Sequence, residues 1–98
     1  MKQYTLLVGL NDKDIKTKQI DKIKARKTIM EIVGDCTVSD AVGQYKHESG
    51  EVVQEKSLRV DILFKGLNEV ISYAKEIKKE LNQESIALSC YEVDSMLV

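Results

Sequence analysis

From Lys56 to Phe64 the chain alternates without a break: Leu58, Val60, Ile62 and Phe64 fall on one phase, Ser57, Arg59, Asp61 and Leu63 on the other. Such a strand needs a cover on its apolar face and leaves the other face wet. Upstream, the short mixed run from Gly43 to His47 is joined to it through His47-Glu48-Ser49-Gly50. Gly50 can take a positive φ there without a Cβ penalty, so Ala41 to Phe64 reads as a hairpin whose second strand is central. Tyr4 to Leu10 is nearly continuous apolar and is bounded by Asn11, Asp12 and Asp14, which predicts a first strand buried in part on both faces.

Between these strands, Asn11 to Lys16 is a polar connection and Thr17, in competition with Asp14, is a candidate N-cap for a helix running to about Val33. Its stripe would be Ile20, Ile23, Met30 and Val33, with the methylenes of Lys27 filling one apolar place and its ammonium lifted out. Gly34 offers an exit from the helix. Cys36 to Ala41 leads into the hairpin, with Thr37, Ser39 and Asp40 as turn or capping groups. After the hairpin, Leu67, Val70, Ile71, Ala74, Ile77 and Leu81 keep a three-four spacing over four turns, the clearest helical pattern in the chain. Ser85 to Val93 alternates again and predicts a last strand, which Met96-Leu97-Val98 would extend. The order is strand, helix, strand, strand, helix, strand. It predicts an α+β, ferredoxin-like β-α-β-β-α-β sandwich: a four-stranded antiparallel sheet with both helices on one face.

With 98 residues, 43% apolar and 32% charged positions and no proline, the chain is expected to form one folded domain, residues 1–98. Fifteen basic against sixteen acidic residues give a net charge of -1, which disfavours a general affinity for nucleic acid or anionic lipid. Cys36 and Cys90 are isolated thiols, too few for an iron-sulfur cluster. The apolar run after Met1-Lys2-Gln3 is too short for a secretion signal or a membrane span, so a reducing, cytoplasmic setting is expected.

Several short pieces resemble a small uncharacterised bacterial domain family. They are Ser39-Asp40-Ala41-Val42-Gly43-Gln44-Tyr45, then Gly50, then Glu55-Lys56-Ser57, and finally Leu81-Asn82-Gln83-Glu84-Ser85-Ile86. The family carries a D-A-x-G-Q-[WY] strand, a glycine turn, an E-x-S strand entry and a [FL]-x-Q-E-S-[VI] junction. Carried over by position, its shared residues are Asp40, Gly43, Gln44, Tyr45, Gly50, Glu55, Ser57, Gln83, Glu84 and Ser85. Many of its members resemble exported, lipid-anchored proteins with a longer N-terminus, a leader not found in this sequence. The resemblance implies a fold and a set of residues; it implies no reaction.

Asp40, Gln44, Tyr45, Glu55, Ser57, Arg59, Gln83, Glu84 and Ser85 are therefore the candidates for ligand or partner contact. Glu55, Ser57, Arg59 and Asp61 share one strand face, which would make a polar row on the open side of the sheet. The plainer reading is a solvated surface whose charges alternate in sign. At the junction, the plainer reading has Gln83 and Ser85 satisfying the loose groups of a helix end, with Glu84 exposed. His47, the only histidine, has Glu48 and Glu51 nearby, but no second imidazole completes a metal site, and neither metal nor cofactor is expected. No catalytic signature is present, so no residue is assigned to catalysis. Glu55 and Glu84 acting as acid and base of a small hydrolase or isomerase-like enzyme is the alternative. The six lysines and Arg26 between Lys13 and Lys27 could touch phosphate, but the sheet lacks a row of stacking aromatics beyond Tyr45 and Tyr91, so RNA binding ranks lower. Self-association or a protein partner is favoured, since an open sheet has an uncovered face and two edges, with Leu7, Leu63, Ala87 and Tyr91 on the outward phase. Small size and the missing leader suggest an accessory protein of a phage or mobile element.

Overall fold

The computed structural model describes residues 1–15, 17–46 and 48–98. The elements are β1 (Lys2–Gly9), α1 (Lys22–Val33), β2 (Thr37–Lys46), β3 (Val52–Ile62), α2 (Leu67–Glu80) and β4 (Ala87–Glu92). The strands form one sheet in the order β2-β3-β1-β4, every pair antiparallel, which is the ferredoxin-like α+β arrangement. β1 and β3, which carry all the buried residues of the sheet, occupy the centre.

Register fixes the two faces. Tyr4, Leu6 and Val8 stand opposite Ile62, Val60 and Leu58, and all six are buried with Leu10 in one core that also takes Ala25, Ile29 and Val33 from α1 and Val70, Ile77 and Leu81 from the second helix and its end. Both helices thus cover one face. Each fully buried aliphatic side chain contributes about 1.5–3 kcal/mol of transfer free energy, so this layer is what orders the sheet. Thr5, Leu7 and Gly9 stand opposite Asp61, Arg59 and Ser57 on the uncovered face.

Five expectations require correction, the first being that Met96-Leu97-Val98 does not extend the last strand, which ends at Glu92 and leaves those three residues exposed. Helix α1 starts at Lys22, and Asp21 rather than Thr17 or Asp14 caps it: its Oδ1 accepts from the amides of Ile23 at 2.8 Å and Lys24 at 3.2 Å. The chain before it folds back on itself at the Asn11–Gln19 bridge, with Ile20 N–H donating to the Leu10 carbonyl and Asp12 N–H to that of Lys18, so those groups are not available to a helix. The buried stripe is consequently Ala25, Ile29 and Val33. Ile23 is 75% exposed, Met30 is exposed, and Lys27 is on the solvent side. Strand β2 begins at Thr37, which makes Thr37, Ser39 and Asp40 strand residues rather than turn or capping groups. Phe64 leaves the core: it lies beyond the end of β3 with φ 62° and is 56% exposed. Gly50 has φ 90° in the hairpin turn, as its position requires.

Candidate functional site

The site grows out of the way α2 ends. Leu81 closes the helix, and Asn82 turns the chain with φ 47°, a conformation that asparagine tolerates better than most residues. Gln83 N–H donates to the Lys78 carbonyl at 2.9 Å and Asn82 N–H to that of Lys79 at 3.3 Å, the paired bonds of a Schellman ending. This turn is sewn to the chain leaving β1. Asn82 Nδ2 donates to Asp12 Oδ2 at 2.9 Å and Asp14 Oδ2 at 3.0 Å, and its carbonyl accepts from Lys13 N–H. Asp12 Oδ1 also accepts from the amides of Asp14 and Ile15. These donors, the Asn82 amide foremost, hold the Asp12 carboxyl below the usual aspartate range.

Gln83 is 6% exposed. Its Nε2 donates to the carbonyls of Asn11 at 2.9 Å and Leu81 at 3.0 Å. Since both partners can only accept, the orientation of the amide is fixed by the network, and Oε1 is turned the other way, toward Gly9. A Cβ on Gly9 would collide with the Glu55 carboxylate and stand 3.1 Å from Gln83 Oε1. Gly9 is glycine because two side chains from different elements use the space above it.

The result is a concavity of about 590 Å³ on the uncovered side of the sheet, where β1 stops at Gly9 while the β2-β3 hairpin continues. Gly9, Asn11, Asp12, Lys13, Glu55, Ser57, Gln83, Glu84 and Ser85 line it with polar groups, and Leu7, Tyr45, Val53 and Ala87 supply apolar and aromatic wall. Of the nine candidates read from the sequence, Tyr45, Glu55, Ser57, Gln83, Glu84 and Ser85 converge here.

The other three lie elsewhere. Asp40 faces the helix side of β2, where Lys22 Nζ donates to it at 2.9 Å and Arg26 Nη2 at 3.4 Å; chiefly through the Lys22 bond, its carboxyl is held below the usual range. The cations of α1 that suggested phosphate contact are thus partly engaged inside the molecule. Gln44 shares that face and accepts from Gln54 Nε2 at 3.0 Å. Arg59 is on the open face but is paired with Asp61, Nε donating to both carboxylate oxygens at 3.2 Å, which raises the guanidinium further above its ordinary value. Asp61 Oδ1 also accepts from Thr5 Oγ1 at 2.7 Å and Gln3 Nε2 at 3.3 Å, and Gln3 donates to the Tyr91 hydroxyl at 2.7 Å. The expected polar row is therefore two units: Arg59 and Asp61 in a closed network, Glu55 and Ser57 in the concavity. His47 lies outside the described residues, as does Lys16. Among the described residues no cluster of three or more histidine, cysteine or acidic side chains is placed to hold a metal ion, and no helix is long and apolar enough to cross a membrane.

Gly9, Asn11, Asp12 and Lys13 were not among the candidates. The one available signal was the glycine inside YTLLVGL, since an isolated strand glycine marks a bulge or a close approach.

No family model matches the chain, and no curated protein matches it in sequence. Solved structures match it in fold. A phage SAM lyase in the apo state is 21% identical, with a TM-score of 0.61, over 92% of this chain and 78% of that one. The periplasmic divalent cation tolerance protein CutA from Archaeoglobus fulgidus is 8% identical, with a TM-score of 0.62, over 99% of this chain and 88% of that one. The GlnK–ATP complex of B. subtilis is 16% identical, with a TM-score of 0.54, over 94% and 82%. The chain has the ferredoxin-like architecture of the CutA and GlnK proteins.

Proposed function

We propose that this chain is a small binding module that holds a polar small molecule in the concavity beside Gly9. The observation that carries this reading is the convergence of side chains from both hairpin strands and the α2–β4 connection around a single glycine. The concavity has two chemically different ends: Leu7, Tyr45, Val53 and Ala87 suit a flat or apolar body, and the Glu55, Gln83, Glu84 and Lys13 end suits a polar head. Two of the fold neighbours are named with adenosine-bearing molecules, SAM and ATP, so adenosine, S-adenosylmethionine and ATP are the first probes. A thermal-shift titration is expected to show stabilisation by at least one of them. Ala87→Trp, at an exposed position on the wall, is expected to remove that stabilisation while leaving the unliganded melting temperature within a few degrees. Absence of any shift with all three probes, or an unchanged shift in the variant, would overturn the proposal.

Catalysis in the same concavity is the second reading, favoured by Glu55 and Glu84 lining it together. As acid and base they would each be needed for turnover. If S-adenosylmethionine is consumed by the native chain, Glu55→Gln and Glu84→Gln should each abolish the reaction; undiminished rates in both would exclude this role.

A further inference from the structure

We infer that the Glu55–Gln83 end of the concavity is a seat for the protonated primary amine of the ligand. The inference rests on the proposal that the concavity binds a small molecule and adds which chemical group comes to its floor.

Acceptors outnumber donors at this end of the concavity. Gln83 is buried, and both hydrogens of its Nε2 are used by the carbonyls of Asn11 and Leu81. Only its Oε1 can face the concavity, and an amide oxygen only accepts. The Glu55 carboxylate comes to the same place from β3, so that both would crowd a Cβ on Gly9. Among the described residues no donor reaches either oxygen. Two acceptors sharing one space in a half-buried site repel each other unless a donor stands between them, and an ionised acceptor makes that bond about twice as strong as a neutral one.

The seat selects by both charge and donor number. A primary ammonium carries three N–H donors, enough to serve both oxygens at once with one left for water. A sulfonium is cationic but has no hydrogen to donate. A phosphate or carboxylate would face a carboxylate and an amide oxygen with only acceptors of its own, so its natural partner on this wall is Lys13. The Gly9 position keeps the seat open: any side chain there would displace the Glu55 carboxylate.

Isothermal titration calorimetry with four adenosine compounds separates these terms. S-adenosylmethionine has both sulfonium and ammonium, S-adenosylhomocysteine keeps the ammonium and loses the sulfonium, 5′-methylthioadenosine lacks the amino-acid head, and ATP brings phosphates. The first two are expected to bind within a few-fold of each other, and 5′-methylthioadenosine and ATP at least about tenfold more weakly, the loss of one charge-assisted contact. Glu55→Gln keeps the shape and removes the charge. It is expected to weaken S-adenosylhomocysteine at least about tenfold while leaving 5′-methylthioadenosine unchanged. Equal binding of 5′-methylthioadenosine and S-adenosylhomocysteine, tighter binding of ATP, or an equal effect of Glu55→Gln on every compound would overturn the seat and leave the concavity proposal standing. No binding of any of the four would overturn both.

Discussion

At the scale of single residues, the side chains that shape the site spend most of their bonding capacity on the fold. Asn82 turns the chain and ties it to Asp12 and Asp14, and Gln83 fixes the end of β1 to the end of α2. Asp40 does similar work across the molecule, joining α1 to β2. This has a pH consequence. The carboxyls of Asp12 and Asp40 both titrate below their ordinary value, Asp12 through the Asn82 bond and Asp40 through the Lys22 bond. A group whose folded pKa is depressed adds stability that is complete above its unfolded value, about 3.9 for aspartate, and that is lost as pH falls through the folded value. Melting temperature is expected to drop on acidification from about pH 5 to about pH 3, and a combined Asp12→Asn and Asp40→Asn variant to show a shallower drop over the same window. A variant curve parallel to the native one would show that these contacts are too weakly formed to matter. Both carboxyls are solvent-facing, so the effect should shrink in high salt.

Among the elements, α1 shows how a pattern can be right in kind and wrong in phase. The apolar residues Ile20, Ile23, Met30 and Val33 suggest a stripe, but Ile20 is used before the helix begins, packing against the core from the connection that precedes Asp21. Once Asp21 sets the start, the core-facing positions are Ala25, Ile29 and Val33 at spacing four. Ile29→Ala and Ile77→Ala, both at fully buried positions, should each cost about 2–5 kcal/mol in chemical denaturation. Ile23→Ala should stay within about 0.5 kcal/mol. The opposite ranking of Ile23 and Ile29 would mean that the helix is rotated on the sheet. Helix α2 keeps the phase its spacing predicts, with only its first residue, Leu67, left 47% exposed, because Glu69 receives the Gly66 amide at its start and the Schellman turn marks its end. Local signals at both ends leave little for tertiary contacts to change.

The whole molecule adds what no element holds alone. The hairpin outruns β1, so the last residues of β2 and the first of β3 form an arm, and the concavity lies in the angle between that arm and the α2–β4 junction. The face opposite the helices also stays uncovered, with Leu7 at 44% and Tyr91 at 40% exposure beside the Arg59–Asp61 network. We propose that self-association through this face is what covers it. Size-exclusion chromatography with light scattering at tens of micromolar should give a mass above that of one 11.1 kDa chain, and a clean monomer would overturn the idea.

Strand alternation, the spacing in α2, the glycine turn at Gly50 and the order of elements were all legible, because each depends on residues within a few positions of one another and on one rule of periodicity. They were enough to determine the architecture and to say that Ser57 and Arg59 face away from the helices. What the string could not decide was which polar residues meet. Asp40 and Gln44 sit three and one residues from Gly43 yet look to the helix side, while Glu55 and Gln83, twenty-eight positions apart, share the space above Gly9. Side chains that are neighbours along a strand alternate faces, and those that converge do so only when a helix end is folded back onto the strand it follows in space, so the site belongs to the register and the docking rather than to any motif.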